Sequence, residues 1–159
     1  LVQLRLKDDD LNKDSIQSLI EKTSERCLRA EAKLLFNIPL DYLNAVDMSV
    51  IRFDGFHADS KTLKGISQRP DADLFSASCH SLEELDKAIK LDADFVVLSP
   101  VQKTASHPEM QAMGWQQFSH MLEKCTMPVY ALGGVSQDDM EKAWLHGAQG
   151  IAAISAFWR

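Results

Sequence analysis

The sequence predicts an α/β fold, a (β/α)8 TIM barrel whose first strand and helix lie upstream of Leu1. Short apolar runs alternate with amphipathic helical patterns along the chain, which is typical of buried parallel strands covered by helices. An open nucleotide-binding sheet would carry a glycine-rich turn after its first strand. Here the glycine pair, Gly133–Gly134, comes near the end. Seven strands are predicted where a barrel needs eight, and the missing one is placed before Leu1.

Apolar runs of three to six residues define the predicted strands. These are Leu1–Leu6, Lys33–Phe36, Val50–Phe53, Leu74–Ala77, Phe95–Leu98, Val129–Ala131 and Gly150–Ile154. Apolar residues at helical spacing predict helices at Asp14–Arg29, Ser81–Lys90, Trp115–Cys125 and Ser136–His146. Ser81 and Glu84 have the spacing of a capping box, and Gly147 is a helix stop.

Composition indicates one domain over residues 1–159, part of a longer polypeptide because the chain begins within a predicted strand. The net charge of −6 argues against nucleic acid as a partner. No apolar run approaches the ~18 residues that span a membrane, and no signal peptide is visible, so we expect a cytoplasmic protein without membrane contact. Cys27, Cys79 and Cys125 are far apart and odd in number, which favours reduced thiols.

Functional residues of such barrels lie at the carboxyl ends of the strands. The polar residues at those positions are Gln3, Arg5, Lys7, Asn37, Asp54, His57, Ser78, His80, Ser99, Gln102, Lys103, Thr104, Gly133, Gly134 and Ser155. Gln3, Arg5 and Lys7 alternate along one strand and share one face. In a barrel that face is the interior, where an anionic ligand or an inner carboxylate would pair with the two cations. The alternative is a solvated basic face on an edge strand.

Three of these segments have two interpretations each. His80 is either a general acid–base or a histidine that bonds the backbone and fixes its loop. Asp54 and His57 flank a predicted Asp–Gly turn and serve either catalysis or the turn itself. Residues 99–107 form either a phosphate-binding lid or a solvated connection.

Two predicted strand ends indicate phosphate binding. Gly133–Gly134 and Ile154–Ser155 end successive apolar runs. Glycine lets the backbone N–H groups approach a ligand closely, and the loops after the last two strands of many such barrels hold phosphate. We therefore expect these amides to bind a phosphorylated small molecule.

Together these motifs resemble the thiamine phosphate synthase family and its relatives, the thiazole tautomerases. The motifs are Val-Gln-Leu-Arg-Leu-Lys (2–7), Phe-Asn (36–37), Asp-Gly-Phe-His (54–57), Ser-Cys-His-Ser-Leu-Glu-Glu (78–84), Ala-Asp-Phe-Val-Val-Leu-Ser-Pro-Val (93–101), Leu-Gly-Gly-Val (132–135) and Gly-Ile-Ala-Ala-Ile-Ser-Ala (150–156). The resemblance implies a (β/α)8 barrel that joins a pyrimidine pyrophosphate to a thiazole phosphate.

The resemblance also implies roles for individual residues. Those on the pyrimidine and pyrophosphate side would be Gln3, Arg5, Lys7, Asn37, Ser78 and Thr104. Those whose amides hold the thiazole phosphate would be Gly133, Gly134, Ile154 and Ser155. The family's magnesium carboxylates are absent, because Ile38 and the segment Ala58–Thr62 stand in their places. We therefore predict no metal site and no certain cofactor, and expect Mg²⁺-assisted loss of pyrophosphate to be impaired.

Three hypotheses fit a retained phosphate site without metal carboxylates. The domain is a tautomerase-like enzyme that uses His80 to move a proton, a synthase with altered metal dependence, or a non-catalytic domain that binds a phosphorylated ligand. The last would suit the C-terminal half of a protein whose covalently linked N-terminal half is a Nudix hydrolase, because barrels resembling this one occur in that arrangement.

Overall fold

A computed structural model describes residues 1–6, 12–39, 47, 49, 51–104 and 111–157. Its strands are β1 (Val2–Arg5), β2 (Leu34–Asn37), β3 (Gly55–Ala58), β4 (Leu74–Cys79), β5 (Phe95–Leu98), β6 (Val129–Ala131) and β7 (Gly150–Ile151). Its helices are α1 (Lys13–Arg29), α2 (Ser60–Gly65), α3 (Leu82–Lys90), α4 (Gly114–Leu122) and α5 (Met140–Leu145), with a 3-10 turn at Gln137–Asp139. Helices are interspersed with parallel strands among the described residues, which confirms the predicted α/β class.

Residues Leu1–His57 and Pro70–Leu74 form one compact unit. In it β1 pairs in parallel with β2, and β2 pairs in parallel with β3. Buried apolar side chains from α1, from β2 and from the segment before β3 make its core: Ile16, Ile20, Cys27, Leu34, Phe36 and Ile51. Val2 and Leu4 of β1 pack against this core. The helix therefore covers one face of the three strands.

The third strand was predicted at Val50–Phe53 but lies at Gly55–Ala58. Ile51 and Phe53 pack on the core beside α1, with the Phe53 ring stacked 4.8 Å from that of Phe36. Their apolar alternation reflects this packing and not strand pairing. The strand begins instead at Gly55, where a Cβ atom would lie 1.9 Å from the carbonyl oxygen of Leu74. Only glycine permits so close an approach of two backbones.

Residues Ala58–Arg69 and Phe75–Arg159 form a second compact unit. β4, β5, β6 and β7 pair in parallel in that order. Apolar side chains from these strands and from α4 are buried: Phe75, Ala77, Val96, Leu98, Phe118, Val129 and Ala131. In this unit the short apolar runs were therefore correctly predicted as buried parallel strands.

Helix α2 was not predicted from the sequence. It has six residues, too few for a recognisable apolar period. Asp59 caps it, because its carboxylate accepts a hydrogen bond from the Thr62 N–H at 2.8 Å. Helix α2 therefore includes most of Ala58–Thr62, the segment in which the family's sequence pattern is lost.

The last predicted helix and strand are both shorter than expected. Ser136 and Asp139 form a capping box around the 3-10 turn, so the α-helical part begins only at Met140. β7 ends at Ile151, whereas the prediction extended it to Ile154. Ile154 instead opens a turn that is closed by a 3.1 Å hydrogen bond from the Phe157 N–H to its carbonyl oxygen.

All three cysteines are free, as predicted. Burial raises the pKa of the Cys79 thiol to about 12, which keeps it protonated and unreactive near neutral pH. Among the described residues, none of the helices has the length and apolar character needed to cross a membrane.

Candidate functional site

The carboxyl ends of β4 to β7 lie side by side in the second unit. Cys79 is paired with Leu98, Leu98 with Ala131, and Ala131 with Ile151. Because parallel strands run in the same direction, the loops that follow them meet at one edge. Those loops hold most of the predicted site residues of this unit: His80, Thr104, Gly133, Gly134, Ile154 and Ser155. Ser78 lies in β4 itself and, like Thr104, is half-buried.

The two glycines after β6 are required by the backbone. Gly133 has a φ of 93° and Gly134 a φ of 67°, values that side-chain-bearing residues rarely adopt. A Cβ on Gly133 would lie 2.8 Å from the Pro100 Cα, and one on Gly134 would lie 2.3 Å from the Lys103 carbonyl oxygen. The glycines thus let the loops after β5 and β6 approach closely.

Four backbone amides just beyond β6 and β7 lack an acceptor among the described residues. Among the described residues, none accepts a hydrogen bond from the N–H groups of Gly133, Gly134, Ile154 or Ser155. Gly134, Ile154 and Ser155 are exposed. Successive backbone N–H groups without internal partners can bind an anion such as phosphate. The geometry at these strand ends therefore suits the ligand class predicted from the sequence.

The imidazole of His80 is held by the loop after β5. Its Nδ1 lies 2.8 Å from the Ser99 carbonyl oxygen and 3.2 Å from the Ser99 Oγ. A carbonyl oxygen only accepts hydrogen bonds, so Nδ1 carries the hydrogen, and the lone pair of the neutral ring lies on Nε2. The ring thus bonds the backbone, as one interpretation of His80 required. It also leaves Nε2 able to accept a proton, as the other required.

A buried carboxylate holds the His80 loop at the start of α3. Glu84 in that helix is only 4% exposed. It accepts hydrogen bonds from the His80 N–H at 2.7 Å and from the Ser60 hydroxyl, and it forms an ion pair with Lys64 at 2.7 Å. Burial raises the pKa of the Glu84 carboxyl, but the hydrogen bonds from Lys64, Ser60 and His80 together outweigh burial and leave it lowered. Glu84 therefore joins α2 to the start of α3 as a charged group.

We expect Glu84→Gln to reduce the acid sensitivity of folding. A carboxyl group whose pKa is lowered on folding stabilises the protein above its ordinary value of 4.5. That contribution is lost as the pH falls through the lowered pKa. At pH 7 the variant should lose about 1–3 kcal/mol, because an amide cannot accept from all three donors. Urea unfolding at pH 7, 5, 4 and 3 would measure both effects, with Glu83→Gln, an exposed neighbour, as the control. If the free energy of unfolding fell equally steeply with pH below pH 5 in wild type and Glu84→Gln, the assignment would be contradicted.

Three predicted ligand residues share a face in the first unit. Val2 and Leu4 face α1, so the alternating Gln3 and Arg5 lie on the opposite face of β1. Arg5 is in register with Asn37, which places these two side chains on the same face of neighbouring strands. Gln3 and Arg5 are exposed, so the arrangement suits either a ligand-binding face or a solvated one. Lys7 lies outside the described residues, as do positions 105–107 of the segment 99–107.

Asp54 and His57 are not strand-end residues, contrary to the prediction. Asp54 precedes β3, where its carboxylate pairs with Lys33 at 2.7 Å and accepts a hydrogen bond from the Leu34 N–H at 2.8 Å. The pKa of this carboxyl is lowered, because the bonds from Lys33 and Leu34 outweigh the effect of burial. His57 lies within β3 and is buried. The structural interpretation of Asp54 is therefore the one supported.

Other residues stand at the two positions where the family resemblance places magnesium carboxylates, and each has a local role. Ile38 is partly buried and packs against the core of the first unit. In the segment Ala58–Thr62, the carboxylate of Asp59 caps α2. A group of three or more His, Cys, Asp or Glu side chains able to hold a metal is not found within the described residues.

The chain is similar to thiamine-phosphate synthases in sequence and in fold. A family model described as thiamine monophosphate synthase matches residues 1–157. The "Putative thiamine-phosphate synthase 2" of Aquifex aeolicus is 36% identical over 159 residues, which are 99% of this chain and 82% of that protein. The thiamine-phosphate synthase of Anoxybacillus flavithermus is 31% identical over 89% of this chain, which spans 64% of that protein. A solved structure of thiamine phosphate pyrophosphorylase from Pyrococcus furiosus shares the fold, with a TM-score of 0.72 and 23% identity over 96% of this chain and 70% of its own.

Proposed function

The chain belongs to the thiamine monophosphate synthase family, and from this we propose that it binds a small phosphorylated heterocycle of the thiazole phosphate type. The amides of Gly133, Gly134, Ile154 and Ser155, which have no acceptor among the described residues, support the proposal best. They follow two neighbouring parallel strands, β6 and β7, which is where barrels of this class hold phosphate. No side-chain charge is needed, because backbone N–H groups donate directly to phosphate oxygens.

We expect thiazole phosphate to bind more tightly than the unphosphorylated thiazole alcohol. Hydrogen bonds to a charged group contribute about 1.5–3 kcal/mol each, so two or more amides should give a difference of at least about 100-fold in Kd. Titration calorimetry would measure both affinities, and backbone amide NMR shifts would locate the site. Equal affinity for the two compounds, or shifts confined to residues other than 132–135 and 152–156, would contradict the proposal.

We propose that synthase chemistry is impaired in this chain. Departing pyrophosphate develops negative charge, which a bound divalent cation stabilises when the group is present. The packing of Ile38 and the cap formed by Asp59 leave these positions without the pair of ligands that such a cation would need. Mixing the protein with pyrimidine pyrophosphate and thiazole phosphate, with and without Mg²⁺, tests this. Turnover to thiamine phosphate at a rate of the order of 1 s⁻¹, common among enzymes, would overturn it.

A second candidate function is thiazole tautomerisation by His80. The supporting observation is the tautomer: Nδ1 donates to the Ser99 carbonyl oxygen, so Nε2 is the basic atom. In this scheme Nε2 takes a proton from the bound thiazole phosphate and returns it at another atom of the same heterocycle. The net reaction moves one proton and one double bond and needs no metal or redox partner.

The closed (β/α)8 barrel and the covalent link to a Nudix domain are also proposals. Both concern residues that would precede Leu1, and the sequence encoded there tests both. A single further strand and helix would support a barrel that stands alone. About 130 further residues, a typical domain length, with a glutamate-rich Nudix helix would support the fusion and a binding role for this domain.

A further inference from the structure

The loops after β5 and β6 are joined along their backbones. The Val101 N–H donates to the Leu132 carbonyl oxygen, and the Gln102 N–H donates to the Gly133 carbonyl oxygen, both at 2.9 Å. These bonds continue the pairing of β5 with β6 beyond the ends of the strands. The peptide group that carries the Gly134 N–H, which includes the Gly133 carbonyl, is thus anchored to Gln102.

A side-chain hydrogen bond also joins the loop after β5 to the segment after β6. The Gln102 Nε2 donates to the Asp139 Oδ1 at 2.8 Å. The Asp139 Oδ2 accepts from the Ser136 N–H at 2.9 Å. Asp139 therefore holds Gln102 with one oxygen and the end of the Gly133–Ser136 segment with the other. All three side chains are half-buried, which strengthens such bonds relative to those in water.

The fit between the two loops leaves little room for adjustment. A Cβ on Gly134 would lie 2.9 Å from the Gln102 Cβ as well as close to Lys103. A shift of Gln102 would therefore change the space available to Gly134, and with it the conformation of the Gly134 backbone. Since Gly134 adopts a positive φ, open to few residues, the direction of its N–H depends on this contact.

We propose that Gln102 and Asp139 are positioning residues for phosphate binding, which hold the Gly133 and Gly134 amides in the orientation that a phosphate monoester requires. The inference rests on the proposed function and names the residues that prepare its site. A loop ordered in advance need not be ordered by the ligand, and this raises affinity without adding a contact. Through Gln102 the same pair connects the phosphate site to the Lys103–Thr104 segment.

A purely structural hydrogen bond would have a different signature. Its loss would lower the melting temperature and leave the affinity of the folded protein for phosphate unchanged. A positioning role predicts that affinity falls in the protein that remains folded, well below its melting temperature. The two roles are therefore separated by measuring Kd and melting temperature on the same variants.

The experiment uses Gln102→Ala and the double variant Gln102→Glu/Asp139→Asn. The first removes the side-chain bond without adding charge. The second keeps the net charge of the wild type and restores the bond with reversed roles, because the new amide at position 139 would donate to the new carboxylate at position 102 while its oxygen still accepts from Ser136. Asp138→Asn is the control, since Asp138 is exposed in the same turn and shares no hydrogen bond with Gln102 in the described structure.

Thiazole phosphate affinity is measured by calorimetry, and the NMR signals of the Gly133 and Gly134 amides are followed. We expect Gln102→Ala to weaken binding about tenfold, which corresponds to the free energy of ordering one or two groups on binding. The double variant should bind with a Kd within about threefold of the wild-type value. Should Gln102→Ala fail to fold, Gln102→Glu alone, which sets two carboxylates against each other, replaces it with the same expected loss. Wild-type affinity in the bond-breaking variant would overturn the inference while leaving the proposed function intact. Absence of binding to wild type would overturn both.

Discussion

Gly134→Ala is expected to weaken thiazole phosphate binding about 100-fold and to lower stability by about 2–5 kcal/mol. The new Cβ would lie 2.3 Å from the Lys103 carbonyl oxygen, which costs about 1–3 kcal/mol as overpacking. The positive φ adds about 1–2 kcal/mol. Relief of the clash must turn Gly134 or move the loop after β5, and either movement takes amides away from the phosphate. Loss of one or two charged hydrogen bonds weakens binding on the order of 100-fold.

Calorimetry and urea unfolding would measure the two effects, with Gly65→Ala as the matched control. Gly65 ends α2, and a Cβ there would meet nothing within 4 Å. Alanine at a compatible position stabilises by about 0.4–1 kcal/mol through the unfolded chain, so this variant should bind as wild type does. Wild-type affinity in folded Gly134→Ala would show that the phosphate lies elsewhere.

His80→Asn is expected to remove tautomerase activity while leaving phosphate binding in place. The asparagine Nδ2 can donate to the Ser99 carbonyl oxygen in place of the histidine Nδ1–H, so the loop keeps its hydrogen bond. Asparagine has no basic nitrogen, so no proton can be taken from the ligand. General base catalysis typically contributes about 10²–10⁴-fold, and conversion of the thiazole tautomer should fall by that amount. The Kd should change by about twofold or less, as for substitutions that keep their contacts.

The matched control is His120→Asn, an exposed histidine on α4 whose partner is Glu123. It should leave both conversion and binding unchanged. If the wild type converts no thiazole tautomer, the second candidate function is wrong and His80 retains only its structural bond. If conversion persists in His80→Asn, another group moves the proton.

Much of the fold could be predicted from local pattern. β5 and β6 begin and end where apolar runs predicted, because a strand buried on both faces is apolar throughout its length. β3 could not be placed in this way. Ile51 and Phe53 are apolar because they pack beside α1, and a period of two does not distinguish such packing from strand pairing.

The candidate site was predicted unevenly for a similar reason. The Gly133–Gly134 pair could be recognised in the sequence, because few other residues adopt its backbone conformation. Asp139 was not among the predicted site residues, although Ser136 and Asp139 have the spacing of a capping box. The hydrogen bond between Asp139 and Gln102 joins residues 37 positions apart. No local sequence pattern at either residue predicts it.

The sequence by itself determined the α/β class, the order of the strands along the chain, the family and the glycine pair at the end of β6. These follow from periodicity, from motif order and from backbone sterics, each of which acts over a few neighbouring residues. Only the tertiary structure decided that Ser99 fixes the His80 tautomer, that Ser60 and Lys64 hold Glu84, and that Leu74 requires glycine at position 55. Such contacts join residues distant in the chain, and their energies depend on distances that no local pattern encodes.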